Sequence, residues 1–434
     1  MTGNYELVLK GGTVVNQDGT GVRDVGILNG RIAAVGSIDP KRGGEVIDAR
    51  GLHILPGVID SQVHFREPGL EHKEDLKTGS RSAVLGGVTA VFEMPNTKPL
   101  TTSAQTLADK VVRARQRMFC DFAFYVGGTR ENVDDIPSLE RLEGSAGIKV
   151  FIGSSTGDLL VDDEASLDRI IAKISRRAAF HAEDEARLKE RMGLRREGDP
   201  SSHPEWRDEE AALIATTRLV RLAEKYKKRI HLLHISTAAE MAFLATHKGW
   251  ASVEVTPHHL TLVAPDCYRE LGAYAQMNPP VRDDSHRQAL WEGLASGVID
   301  VLGSDHAPHT REEKDCPYPA SHSGMTGVQT LVPIMLDHVN AGRLTLERFV
   351  DLTSYGPQRL FGISGKGRIA AGYDADLTIV DLHREETITN DHIASRCGWT
   401  PYHGRKVKGW PVGTIVRGAK VMWDGEIVQP ARGE

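Results

Sequence analysis

The chain has 434 residues, of which 40% are hydrophobic, 26% charged and 6% aromatic. That is an ordinary globular composition, and the length calls for two or three domains or one large barrel with an appendage. A net charge of −6 gives no reason to expect nucleic acid or an anionic membrane surface as a partner.

Four widely separated cysteines, Cys120, Cys267, Cys316 and Cys397, form no CxxC pair and read as reduced thiols of a cytosolic protein. The opening MTGNYELVLKGG has neither a basic leader nor an apolar signal core. No apolar run approaches the roughly 18 residues of a membrane span. A soluble cytoplasmic protein is expected.

Residues 6–36 read as short strands with glycine turns, and Asn29-Gly30 has the residue types of a two-residue hairpin. The same texture returns in DADLTIVDL and GTIVRGAKVMWDGEIV, with Asp424-Gly425 as a second hairpin turn. Both ends are therefore expected to build one small β-sandwich domain. Between them eight apolar runs recur: 58–65, 88–95, 121–128, 147–153, 177–184, 229–236, 251–259 and 300–309. Ala215, Leu219, Leu222, Ala223 and Tyr226 repeat at helical spacing between the fifth and sixth runs. Alternating strands and helices predict an α/β fold with parallel pairing. Eight units fit a (β/α)8 TIM barrel, although a doubly wound open sheet gives similar alternation. The expected division is 1–56 and 366–434 for the sandwich and 57–365 for the barrel.

Polar residues gather where these runs end: His64 and Arg66, Asn96, Lys149, His181, His234, His258 and His259, Asp305 and His309. In a barrel those ends share one mouth, where active sites are built. A single histidine ending a strand is usually a satisfied structural residue, but several in succession suit a divalent ion such as zinc. Lys149 is the odd member, because an ammonium repels a metal. Either it points outwards to solvent, or its amine has reacted with carbon dioxide to give an anionic carbamate ligand. The residues alone leave both open.

The ordered set KGGTVV, LPGVID, VHFREPG, EMPNT, GIKVF, FHAED, LLHIST, VTPHHL, NPPVR, DHAPHTREEK and GYDADLTIVDL spans essentially the whole chain. It resembles the amidohydrolase superfamily and, within it, the dihydroorotases of the longer bacterial type. The resemblance implies a metal-bearing (β/α)8 barrel with a β-sandwich from both termini. It implies that Lys149 is carboxylated and binds one zinc with His181 and His234. His64 and Asp305 would belong to a second metal position. His231, three residues before His234, reads as structural. The family pattern at residues 62–64 is His-x-His, whereas this chain has Gln62-Val63-His64. One firmly bound zinc and a weak or partial second site are therefore expected.

The implied reaction is the reversible hydrolysis of L-dihydroorotate to N-carbamoyl-L-aspartate in pyrimidine biosynthesis by metal-bound hydroxide, with Asp305 moving the proton. Arg66, Asn96 and His309 would hold the substrate carboxylate, with Asn278 near the ring. A homo-oligomer and an association with aspartate carbamoyltransferase are the partner expectations. Two alternatives stand: an inactive dihydroorotase-like subunit supporting that transferase, or another cyclic amidohydrolase such as an allantoinase or dihydropyrimidinase.

Overall fold

Eight parallel strands follow one another around a barrel in chain order: Val58–Val63, Val88–Glu93, Asp121–Gly127, Ser145–Ile152, Ala178–Ala182, Ile230–Leu232, Ala251–Val255 and Val301–Leu302. The structure, a computed structural model, describes residues 4–154 and 159–434. The last strand returns to the first through a parallel bridge between Val63 and His306, where the His64 N–H donates to His306 O at 2.7 Å. Every residue of the first, second and fifth strands is buried. A strand covered on both faces, by the barrel interior and by outer helices, requires that.

The helices are set by their caps. Asp75 and Ser103 each form a capping box with the threonine three residues on. Asp208 caps the helix Glu209–Lys225 through the Ala211 N–H. That helix buries Ala215, Leu219, Leu222 and Ala223, the predicted stripe, against the barrel. Burying one such leucine stabilises the fold by roughly 1.5–3 kcal/mol.

Three runs are much shorter strands than their lengths predict, and the sixth, 229–236, pairs only over Ile230–Leu232. The seventh ends at Val255, because Thr256 caps a helix over Pro257–Thr261 and Pro257 cannot continue a ladder. The eighth ends at Leu302, and its remainder leaves as the loop that carries Asp305.

The chain ends build a nine-stranded mixed sheet, with His53–Pro56 between Leu377–Thr387 and Tyr5–Asn16. Asn29-Gly30 and Asp424-Gly425 make its two predicted hairpin turns, with both residues of each pair at positive φ (52° and 72°, 47° and 83°). Leu9, Val25, Ile27, Ile54, Leu377 and Ile379 fill its own core. Strand His53–Pro56 runs through Gly57 directly into the first barrel strand. A Cβ at Gly57 would meet Thr89 Oγ1 at 2.2 Å, so this join tolerates only glycine. Lys366 clamps sheet to barrel, pairing with Asp376 and with Asp121 at 2.6 Å. No helix among the described residues is long and apolar enough to cross a membrane.

Candidate active site

The ends of the barrel strands bring His64, Arg66, Asn96, His181, His234, Asn278 and Asp305 around one small cavity, together with Gln62. Its volume, about 20 Å³, accommodates one ion or water molecule. Lys149 lies beside this cavity in the fourth strand and His309 lies beside Arg66. A larger cavity, about 1170 Å³, lies elsewhere, between the end sheet and the C-terminal tail. Three of its four arginines, Arg31, Arg115 and Arg417, are already paired with acids.

Lys149 does not point to solvent. It is 1% exposed, and its Nζ has no hydrogen-bond partner among the described residues. The amine sits 4.4 Å from the centroid of the Phe151 ring. Burial pulls its pKa down to about 7, although Asp305 and Glu254 resist. At neutral pH a large share is therefore the free, nucleophilic amine.

Next to it, His181 Nδ1 and His234 Nε2 face each other at 3.1 Å. His181 Nε2 lies 3.0 Å from Glu183 Oε2, and Arg207 pairs with the same carboxylate. Burial alone would push the Glu183 carboxyl up, but Arg207 and His181 outweigh it and hold it well below the usual range. A carboxylate this close to one ring nitrogen favours the proton on that side and leaves the other lone pair facing His234, the arrangement of metal-ligating histidines. His234 Nδ1 has no partner among the described residues. Burial, with His181 and Lys149 adding to it, keeps the His234 ring neutral.

On the other side, the His64 Nδ1–H donates to Asn96 Oδ1 at 2.8 Å. Its Nε2 lone pair then faces Asp305 Oδ1 at 3.2 Å. A lone pair and a carboxylate oxygen at that separation need a proton or a cation between them. Gln62 Nε2 donates to the same Asp305 oxygen at 3.0 Å, and Gln62 Oε1 has no partner. Gln62 thus faces the cavity as a hydrogen-bond donor. Two inward imidazoles, an unpartnered amine, a third imidazole and a carboxylate are a donor set that fits a divalent metal.

Arg66 is 1% exposed; its Nε donates to Pro308 O at 3.2 Å, and its Nη2 lies 3.3 Å from His309 Nε2. Burial lowers its pKa to about 10, against the pull of Asp305 and Glu93, so it stays cationic. Arg66, His234 and Asp305 share a further property: their φ angles are 65°, 39° and 48°. Left-handed backbone at a non-glycine residue is strained and clusters at functional sites.

Asn278 accepts from His203 Nε2 at 2.9 Å. His258 and His259 do not reach the cavity. His258 bonds Tyr402 at 2.9 Å, and His259 donates to Pro279 O at 3.1 Å. His231 is buried beneath the site against Ser252 at 2.8 Å. Glu183, Arg207 and Lys73 were missed from sequence. The signal for Glu183 was its place two residues after His181 in FHAED, an acid beside a candidate ligand. Among the described residues His309, Glu313 and His322 also place three ligand atoms within 4.8 Å of one another. The ammonium of Lys73 is already there, 2.8 Å from Glu313 and 3.2 Å from His309, and takes the cation's place.

Comparison with known proteins agrees with this fold. The profile described as Amidohydrolase family matches residues 53–421. A dihydroorotase of Halobacterium salinarum is 40% identical over 94% of both chains. One of Pyrococcus abyssi is 35% identical over 99% of this chain and 98% of its own. Among solved structures, an L-hydantoinase (dihydropyrimidinase) of Arthrobacter aurescens superposes with a TM-score of 0.93 at 30% identity, covering 99% of both chains. The family profile covers most of this chain and its dihydroorotase relatives cover nearly all of it, so the chain belongs to the amidohydrolase family.

Proposed function

We propose that the chain is a dihydroorotase, which opens the cyclic amide of L-dihydroorotate to N-carbamoyl-L-aspartate and closes it again. The observation that carries this reading is the buried Arg66 guanidinium beside Asn96 and His309, next to the imidazole–lysine cluster. A planar cation and neighbouring donors suit a ring carboxylate, which hydantoins and dihydropyrimidines lack. The sequence identity to dihydroorotases, up to 40%, points the same way.

Lys149, His181 and His234 would hold one divalent ion, with the Lys149 amine carboxylated. The neutral Nζ adds to carbon dioxide and loses a proton, giving an anionic ligand where an ammonium would repel the metal. His64 and Asp305 would hold a second ion weakly, because Gln62 offers a neutral amide where an imidazole would bind better. Bound zinc supplies Lewis acidity and brings the pKa of water from 15.7 towards about 7.

The protein residues do the rest. Asp305 accepts the proton of the attacking water on its carboxylate and returns it to the ring nitrogen as the amide bond breaks. Gln62 and His64 aim that carboxylate. Arg66, Asn96 and His309 fix the substrate carboxylate, and Asn278 borders the ring. The reading extends to a cytoplasmic homo-oligomer that associates with aspartate carbamoyltransferase, which light scattering with and without that enzyme checks.

The structural likeness to hydantoinases gives a second reading, and one assay separates the two. Purified protein is tested for turnover of L-dihydroorotate, N-carbamoyl-L-aspartate, hydantoin and dihydrouracil. Turnover of the first pair alone supports the proposal. Turnover confined to the second pair overturns it, and no turnover of any leaves the inactive-subunit alternative standing.

A further inference from the structure

Lys73 lies outside the strand-end cluster, in the loop ahead of the first barrel helix, yet it is 5% exposed. Its Nζ is 3.2 Å from His309 Nδ1 and 2.8 Å from Glu313 Oε1. We propose that Lys73 is a positioning residue, holding His309 as the neutral Nε2–H tautomer so that His309 and Arg66 present two converging donors to a substrate carboxylate. The identity of that carboxylate rests on the dihydroorotase reading; the tautomer does not.

The tautomer follows from what each neighbour can do. An ammonium only donates, so His309 Nδ1 must accept and Nε2 carries the proton. The Ser323 carbonyl, which only accepts, lies 3.1 Å from Nε2 and requires the same assignment. In the opposite tautomer an Nδ1–H would face the Lys73 ammonium and an Nε2 lone pair would face the Ser323 carbonyl. Its gains would be Glu313 Oε2 at 3.4 Å and the Arg66 Nη2–H at 3.3 Å, both longer than the two contacts it would give up.

With Nε2 protonated, the Arg66 Nη2 at 3.3 Å is a second donor aimed at the same space. Two donors this close repel each other, and a carboxylate oxygen that accepts from both, sharing the Nε2–H with the Ser323 carbonyl, relieves the repulsion.

The surrounding charge agrees. Arg66, Lys73 and Lys314 face His309 with Glu313 as counter-charge, and His322 packs against the ring at 4.8 Å between centroids. Lys314 is already engaged by the carbonyls of His322 and Gly324. An imidazolium would add a further cation to this group, whereas an anionic ligand relieves it.

The test is histidine-selective nitrogen-15 NMR of the whole enzyme, with His309→Gln identifying the signal, alongside steady-state kinetics of Lys73→Met and Lys73→Arg. The parent is expected to show an unprotonated Nδ1 and a protonated Nε2 at residue 309. Lys73→Met should lose that single tautomer and raise KM for dihydroorotate about tenfold, the loss of one well-placed hydrogen bond to a charged acceptor. kcat should change less than about twofold, and Lys73→Arg should restore most of the loss. An Nδ1–H tautomer in the parent, or an unchanged KM in Lys73→Met, overturns the proposal. If Lys73→Met does not fold, the parent spectrum decides alone. A parent that ignores dihydroorotate defeats the dihydroorotase reading but leaves the spectrum to judge Lys73.

Discussion

Lys149 shows how one side chain couples burial to chemistry. Desolvation takes its pKa to about 7, and only the neutral amine reacts with carbon dioxide. Deprotonation rises with pH, so metal- and bicarbonate-dependent reactivation of stripped protein should climb through about pH 7 and level off above it. An ordinary lysine, near 10.4, would still be climbing at pH 9, and a reactivation profile of that shape would contradict the assignment. Arg66→Met keeps length and removes charge. It should cost roughly 2–5 kcal/mol in kcat/KM while metal content stays at the parent's level; kinetics and metal analysis on one preparation check both. Gln62→His replaces the amide that now donates to Asp305 with an imidazole. Bound metal should rise towards two ions per chain after identical dialysis, and two tightly held ions in the parent would show that Gln62 is no handicap. The sequence pointed to Arg66 because it follows an apolar run, and to Lys149 and Gln62, which lie inside their strands, through the family pattern. It could not point to Lys73 or Arg207, whose roles come from a loop and a helix end folded against distant strands.

Strands and helices were legible where their periodicity was strong. All eight barrel runs are strands, and the stripe from Ala215 to Ala223 is the buried face of Glu209–Lys225. The sixth, seventh and eighth runs misled because buried residues continue past the ladder. His258 and His259, which end the seventh run, are buried in a helix rather than a strand, so burial without pairing gives the same sequence signal. Leu219 is fully buried on the long helix. Leu219→Ala should lower stability by about 2–5 kcal/mol, read as a lower urea midpoint. Because the helix packs outside the barrel, kcat under native conditions should hold.

At the scale of the whole molecule, the two chain ends return to one sheet, and Lys366 ties that sheet to the barrel through Asp121 and Asp376. The opposing carboxylates raise its pKa despite burial. Lys366→Met would leave both acids without this cation and should cost about 3–5 kcal/mol, seen as a lower melting temperature with KM unchanged. The left-handed backbone at Arg66, His234 and Asp305 acts on a different balance. Each such residue costs about 1–3 kcal/mol, a cost that glycine would escape. Directed evolution for heat resistance, scored only on soluble protein after heating, would therefore enrich glycine at positions 66, 234 and 305. The survivors would outlast their parent and convert nothing, so such a selection has to count product as well as folded chains.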